Sequence, residues 1–191
     1  MNMKLRCSTG RYRPVFTDKR HKDDWYPTPK EATEALLEVE TFGSTIWEPA
    51  CGDGSLSMVL QDAGHETIDS DLNEYGFGQA GVDFLLETKA AAPQLITNPP
   101  FKLANEFILH AINLGVQKHA WLLRLAFLEG QARYDTIFSL HPPAAVHVFS
   151  KRLTIWRGDE DDAWYGKTGK TAYAWFIFKK GWRGPTQLGW L

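Results

Sequence analysis

The residues best suited to chemistry in this chain are Asn98-Pro99-Pro100-Phe101, which follow the apolar pair Leu95-Ile96. Two prolines cannot continue a sheet ladder, so the apolar run ends there as a strand end. Proline fixes its own φ and restricts the residue before it, which holds Asn98 extended and stiff. The corner presents an amide side chain, a backbone carbonyl and an aromatic ring together. An exocyclic amine on a planar base offers two N–H donors and a lone pair delocalised into its ring. The Asn98 side-chain oxygen and the Pro99 carbonyl can accept both hydrogens while Phe101 stacks on the base. Carbonyl dipoles aimed at that nitrogen stabilise positive charge as it attacks an electrophilic methyl group. A proline-rich turn over a buried phenylalanine is the plainer alternative.

A second stretch, Glu48-Pro49-Ala50-Cys51-Gly52-Asp53-Gly54, follows a short apolar run and opens a helical pattern. Its glycines allow tight turning and close approach of a ligand to backbone. No lysine follows them, which argues against a triphosphate loop, and a third glycine of a dinucleotide fingerprint is replaced by Ser57. A tight strand–helix turn with no ligand remains open. Asp71 ends a predicted strand, where an acid can accept from ribose hydroxyls, and Asp69 is a rival on the same face. Asp83-Phe84 can meet an adenine edge and face, or be a solvated acid beside a core ring.

The elements that must position these residues alternate. Thr28 and Pro29 predict a helix N-cap and first turn, continued by Ala32, Ala35, Leu36 and Val39 and closed by Gly43. Strands are expected at 45–47, 66–71, 83–85 and 94–97, with a helix from Leu56 to Gly64. An amphipathic helix spans 103–115, and Ala120 to Leu125 reads as a buried parallel strand. A helix at 130–140, extended segments at 146–149 and 152–156, and a β-prone strand at 173–178 complete the series. Alternation of this kind predicts an α/β fold, a mostly parallel sheet with helices on both faces, whose ligands bind beyond the strands' carboxyl ends.

With 191 residues and 43 % hydrophobic content, the chain suits one α/β domain. No apolar run is long enough to cross a bilayer and no signal-peptide core opens the chain, which predicts a cytoplasmic protein with no membrane partner. Cys7 and Cys51 give neither a disulfide framework nor metal-ligand spacing, so no metal is expected. Net charge is −2, but residues 4–22 collect Lys4, Arg6, Arg11, Arg13, Lys19, Arg20, His21 and Lys22 against Asp18 alone. Such an arm can track a phosphate backbone, or be a solvated tail.

Three segments together resemble the S-adenosylmethionine-dependent amino methyltransferases, specifically the small bacteriophage-type DNA adenine-N6 methyltransferases. Tyr26-Pro27-Thr28-Pro29 is similar to that family's N-terminal cofactor segment, Glu48 to Gly54 to its glycine loop, and Asn98-Pro99-Pro100-Phe101 to its catalytic tetrapeptide. The resemblance covers Trp25 to about Leu128. It implies a Rossmann-like class I fold with a seven-stranded sheet and an antiparallel C-terminal strand. It also implies S-adenosyl-L-methionine as cofactor, met by Tyr26, Pro27, Thr28, Glu48, Ala50, Gly52, Gly54, Asp71, Asp83, Phe84 and Asn98. Asn98, Pro99, Pro100 and Phe101 would then handle the adenine amine, with the base flipped out or unpaired. The sulfonium is already activated, so alignment matters more than acid or base, and Cys51 is read as packing.

Relatives of that family often carry a separate target-recognition domain, for which this chain has no room. The expected organisation is a basic arm at 1–24 and one methyltransferase domain at 25–191, with a loop insertion near 157–171. Contacts to DNA, duplex or single-stranded, are expected from Arg11, Arg13, Lys19, Arg20 and Lys22, from Arg157, Lys167 and Lys170, and from the stretch 129–135. The oligomer is expected to be a monomer or homodimer, in a bacterial or phage-infected cell. The same corner also suits RNA adenine, cytosine N4 or a protein glutamine amide. A silent binding module is the non-enzymatic rival.

Overall fold

The computed structural model describes residues 25–155 and 171–191. The basic arm with Arg11, Arg13, Lys19, Arg20 and Lys22, and the insertion with Arg157, Lys167 and Lys170, therefore lie outside the described residues. The strands are β1 (Thr45–Glu48), β2 (Glu66–Asp71), β3 (Gln79–Ala80), β4 (Gln94–Thr97), β5 (Lys118–Arg124), β6 (Ala145–Val148), β7 (Tyr173–Lys179) and β8 (Gln187–Trp190). They form an eight-stranded sheet in the order β3-β2-β1-β4-β5-β7-β6-β8. Only β7 runs antiparallel to its neighbours, β5 and β6. The fold is thus the expected mostly parallel α/β sheet, with the reversed strand where the β-prone segment 173–178 was placed.

Both faces are covered. Helix α1 (Lys30–Val39) and helix α2 (Ser55–Asp62) bury Ala32, Leu36, Leu56 and Leu60 against Ile46, Ile96, Leu122 and Ile177. Helix α3 (Ala104–Asn113) packs Phe107, Ile108 and Ala111 on the opposite face, against Trp47, Leu95, Trp121 and Phe176. The continuous apolar run of β5 follows from this, since a strand covered on both faces has no polar side. The Trp175 indole on β7 donates to the Ala32 carbonyl at 2.7 Å and ties α1 to the sheet centre. No helix among the described residues is long and apolar enough to cross a membrane.

Several expected boundaries are corrected. Eight strands replace seven, because β8 adds a short edge strand whose two apolar side chains, Leu188 and Trp190, are both exposed. Asp83-Phe84-Leu85 is not a strand. Asp83 accepts from the Leu85 amide at 2.9 Å and caps a 3₁₀ turn, and the short third strand lies at Gln79–Ala80 instead. Thr28 does not cap α1: Pro29 occupies the cap position with no side-chain bond. The helix also stops before Gly43, at Val39. Glu40 is drawn into an extended conformation, where its carboxylate accepts from Lys118 at 2.6 Å and pairs with His147 at 3.1 Å. The segment 130–140 holds one α-turn, Gln131–Arg133, widened into a π-turn over Tyr134–Phe138. Residues 152–155 form no strand.

Candidate active site

Strands β1, β2 and β4 are parallel neighbours, so their carboxyl ends deliver Glu48, Asp71 and Asn98 to one edge of the sheet. They open onto a cavity of about 400 Å³, also lined by Tyr26, Pro27, Thr28, Ala50, Gly52, Asp83, Phe84 and Pro100. Small-molecule sites run from about 300 to 1,000 Å³, so this one admits a ligand of nucleoside size. Its charged lining is mainly acidic, Asp53, Asp71 and Asp83, with Lys102 as the one cation among the described residues. That balance suits a cationic ligand and disfavours a polyphosphate.

Backbone geometry in the glycine loop explains the residue choice. Gly52 has φ 54°, and a Cβ there would sit 2.6 Å from the indole nitrogen of Trp25. Gly54 has φ 80° and begins α2, but the Phe77 ring covers it, 2.4 Å from where a Cβ would stand. Gly54 therefore does not line the cavity. The close approach expected from a ligand is made at both glycines by aromatic side chains.

Asp71 is 8 % exposed and is held by backbone donors, Gly52 N at 3.0 Å and Asn73 N at 2.8 Å. It thus links the end of β2 to the glycine loop after β1. Its carboxylate also lines the cavity, where an acid can accept from a ligand hydroxyl. Asp69, its rival, does not line the cavity. Ser57 donates to it at 2.6 Å and Thr67 at 2.5 Å.

Ser57 also contacts Glu48, which is 2 % exposed. Burial pushes the Glu48 carboxyl well above its usual range, and Asp69, Asp71 and Asp53 add to it against the Ser57 bond. One serine proton cannot serve two carboxylates. The arrangement that satisfies all three groups has protonated Glu48 donating to the Ser57 oxygen and Ser57 donating to Asp69. Position 57, where a dinucleotide fingerprint has its third glycine, thus carries a structural hydroxyl. Cys51 is buried, and burial, then Glu48 and Asp71, pushes its thiol up to about 12. A thiol so raised is no nucleophile at neutral pH.

In the tetrapeptide, the Asn98 Nδ2 donates to the Tyr26 carbonyl at 2.9 Å. This fixes the amide orientation, and Oδ1 is left buried with no hydrogen-bond partner. Pro99 is buried and lines neither the large cavity nor the one on the other side, whereas Pro100 borders the large one. Phe101 faces elsewhere, onto a second cavity of about 210 Å³ shared with Lys102, Leu123, Arg124, Phe127 and Arg133. Its ring is flanked by Tyr26 at 5.7 Å, Tyr173 at 5.9 Å and the Arg124 guanidinium at 4.9 Å. The tetrapeptide is therefore a partition, with Asn98 and Pro100 on one side and Phe101 on the other.

Sequence reasoning missed Trp25 and Tyr75, which stack at 4.5 Å and wall the large cavity, and Leu72 beside Asp71. An exposed leucine directly after a strand-terminal acid was the available signal for Leu72. Nothing in the sequence marked Tyr75.

No family model matches this chain, and no curated protein matches it in sequence. Solved structures do match. One is a candidate class I S-adenosylmethionine-dependent methyltransferase from Listeria monocytogenes, with TM-score 0.59 and 13 % identity over 85 % of this chain and 64 % of that one. A candidate RNA methyltransferase from Pyrococcus horikoshii gives TM-score 0.61 and 17 % identity over 81 % of this chain and 86 % of that one. The modification subunit of a candidate type I restriction enzyme from Vibrio vulnificus gives 0.58 and 12 %, over 85 % and 45 %. The chain thus spans less than two thirds of the first and third of these proteins. At such identities the likeness defines the fold: this chain has the class I methyltransferase fold.

Proposed function

We propose that this protein transfers a methyl group from S-adenosyl-L-methionine to the exocyclic N6 amine of adenine in DNA, with the target base flipped out or unpaired. The observation that carries the reading is Asn98 Oδ1, a buried acceptor without a donor beside a ligand-sized cavity. Leaving a buried acceptor unmatched costs about 1–3 kcal/mol, which an incoming amine N–H would recover.

The large cavity would hold the cofactor, with Asp71 accepting from the ribose, Asp83 and Phe84 meeting the adenine, and Tyr26, Pro27 and Thr28 against the methionine part. When bound, that group supplies a methyl activated by its sulfonium. Asn98 Oδ1 and the Pro99 carbonyl would accept the two amine hydrogens and hold the nitrogen lone pair toward the cavity. The bond formed is N–CH₃, the bond broken is S–CH₃, and the amine proton leaves to solvent. Carbonyl dipoles favour the cationic nitrogen of the transition state. Alignment supplies most of the remaining acceleration.

The nucleic-acid substrate draws support from two structural neighbours, a candidate RNA methyltransferase and the modification subunit of a candidate type I restriction enzyme. The arm at 1–24 and the insertion near 157–171, flanking one methyltransferase domain, belong to the same proposal as the DNA-contacting segments of a monomer or homodimer. Incubation with radiolabelled S-adenosylmethionine and DNA, RNA or protein in parallel tests it. Label in DNA, released on digestion as N6-methyladenine, is expected. Label confined to RNA, to cytosine N4 or to a glutamine amide would replace the substrate and keep the corner. No label anywhere, with the cofactor bound, would leave a silent binding module.

A further inference from the structure

The second cavity contains charge that the methyl-transfer chemistry does not use. Arg124 ends β5 with its guanidinium over the Phe101 ring, and its Nε is buried with no acceptor. Arg133 faces the same cavity. Its Nε donates to Asn105 Oδ1 at 3.1 Å, its Nη1 to the carbonyls of Phe127 at 2.8 Å and of Glu129, and it rests 4.3 Å over the Phe127 ring. Carbonyl and amide oxygens orient a guanidinium without neutralising it. Among the described residues neither arginine is paired with a carboxylate. Lys102, exposed on the turn after the tetrapeptide, borders both cavities.

A desolvated donor with no acceptor is unfavourable unless a ligand supplies one. Two guanidinium groups with no carboxylate partner around about 210 Å³ call for an anion with several acceptor oxygens. The wall they share with Phe101 says which anion. Anything bound there lies across the partition from the cofactor cavity, against the far side of the tetrapeptide that would hold the target amine. We infer that the cavity between Phe101, Arg124 and Arg133 receives a backbone phosphodiester of the strand that carries the target adenine. Arg124 is its principal donor and Lys102 closes its outer side. This rests on the proposed function and deepens it, since a glutamine-bearing peptide has no group of that kind. Arg124 and Lys102 are positioning residues here: they fix the strand so that the base reaches Asn98.

The test uses the full chain, S-adenosylhomocysteine and a fluorescein-labelled, adenine-containing single-stranded oligodeoxynucleotide, with affinity read against salt. Each phosphate contact on a single strand contributes about −0.7 to the slope of log affinity against log salt. Arg124→Gln should weaken binding about tenfold at low salt and flatten the slope by about 0.7, with S-adenosylhomocysteine affinity unchanged. Arg124→Lys should keep the slope, which a purely structural role would not require. Lys102→Gln should flatten it too, and decides the matter if Arg124→Gln fails to fold. An unchanged slope in both variants, with wild-type DNA methylation intact, overturns the phosphate pocket and leaves the proposed function standing. An Arg124-dependent slope without any N6-methyladenine keeps the pocket and removes the adenine assignment. A wild-type protein that binds no oligonucleotide and labels only a glutamine peptide overturns both.

Discussion

The side-chain nitrogen of Asn98 is bonded to the backbone carbonyl of Tyr26, 72 residues earlier in the chain. The N-terminal segment that borders the large cavity therefore sets which way the amide points. Asn98→Ala should lower methyl transfer by about a hundredfold or more, as loss of a transition-state acceptor does elsewhere. Cofactor affinity should fall far less than turnover, because the variant loses the proposed amine acceptor outright but only one bond, Nδ2 to the Tyr26 carbonyl, from the cavity wall. Isothermal titration beside single-turnover rates checks this. A variant with normal turnover would show the site is elsewhere.

Asp71 has a double duty that the Asn98 variant does not touch. Asp71→Ala strands the Gly52 and Asn73 amides, so both cofactor affinity and fold stability should drop, the latter by about 1–3 kcal/mol. Urea midpoints with and without S-adenosylhomocysteine separate the two losses. A variant with unchanged affinity would remove Asp71 from the cofactor site.

The Glu48–Ser57–Asp69 chain makes an unusual forecast. If Glu48 carries its proton at neutral pH, Glu48→Gln replaces one neutral donor by another and should shift stability by under about 1 kcal/mol. Ser57→Ala, which sets two acids against each other with no hydroxyl between them, should cost more. Thermal denaturation of the pair ranks them, and a larger loss in Glu48→Gln would mean the carboxylate is charged.

Acid should unfold the protein in two overlapping losses. Burial, and then the charge of His141, push His119 down to about 3, and its ring accepts from the Trp121 indole at 2.6 Å. The unfolded imidazole protonates near its ordinary value of 6.5, so this contribution is present above 6.5 and is lost as pH falls toward 3. For Glu40 burial acts upward, but the bonds with His147 and Lys118 outweigh it and hold the carboxyl at about 2, against 4.5 when unfolded. Its contribution is present above 4.5 and lost as pH falls through about 2. Urea midpoints over falling pH should decline throughout, and Glu40→Gln should flatten the acid end of the curve. An unflattened curve would take Glu40 out of the balance.

How much of this was legible in the residues depended on what kind of signal each element leaves. The strands expected at 45–47, 94–97 and 120–125 were readable because burial on two faces imposes apolar runs, and β7 because Tyr173 to Phe178 is continuously β-prone; β2, with Ile68 as its one large apolar side chain, has no such run. β8 leaves no such trace, since an exposed edge demands no pattern. Asp83 misled because an acid before an apolar run looks the same whether it ends a strand or caps a turn. Gly54 was read as room for a ligand, when the room is taken by Phe77, 23 residues further on. The large cavity was visible through Asn98, Asp71 and the glycine loop, each local in sequence. The small one was not: Phe101, Arg124 and Arg133 meet only because β4 and β5 are neighbours.

The partition at Asn98–Phe101 gives the molecule two separately editable poles. One is made by the loops after β1, β2 and β4, the other by the end of β5, the turns that follow it and the start of β7, where the Leu125 amide meets the Ala172 carbonyl at 2.8 Å. Under the proposed function, substitutions on the β5–β7 side would act on the target strand and leave the walls of the cofactor cavity in place. Choice of target and supply of the methyl group would then rest on different strand ends of one sheet.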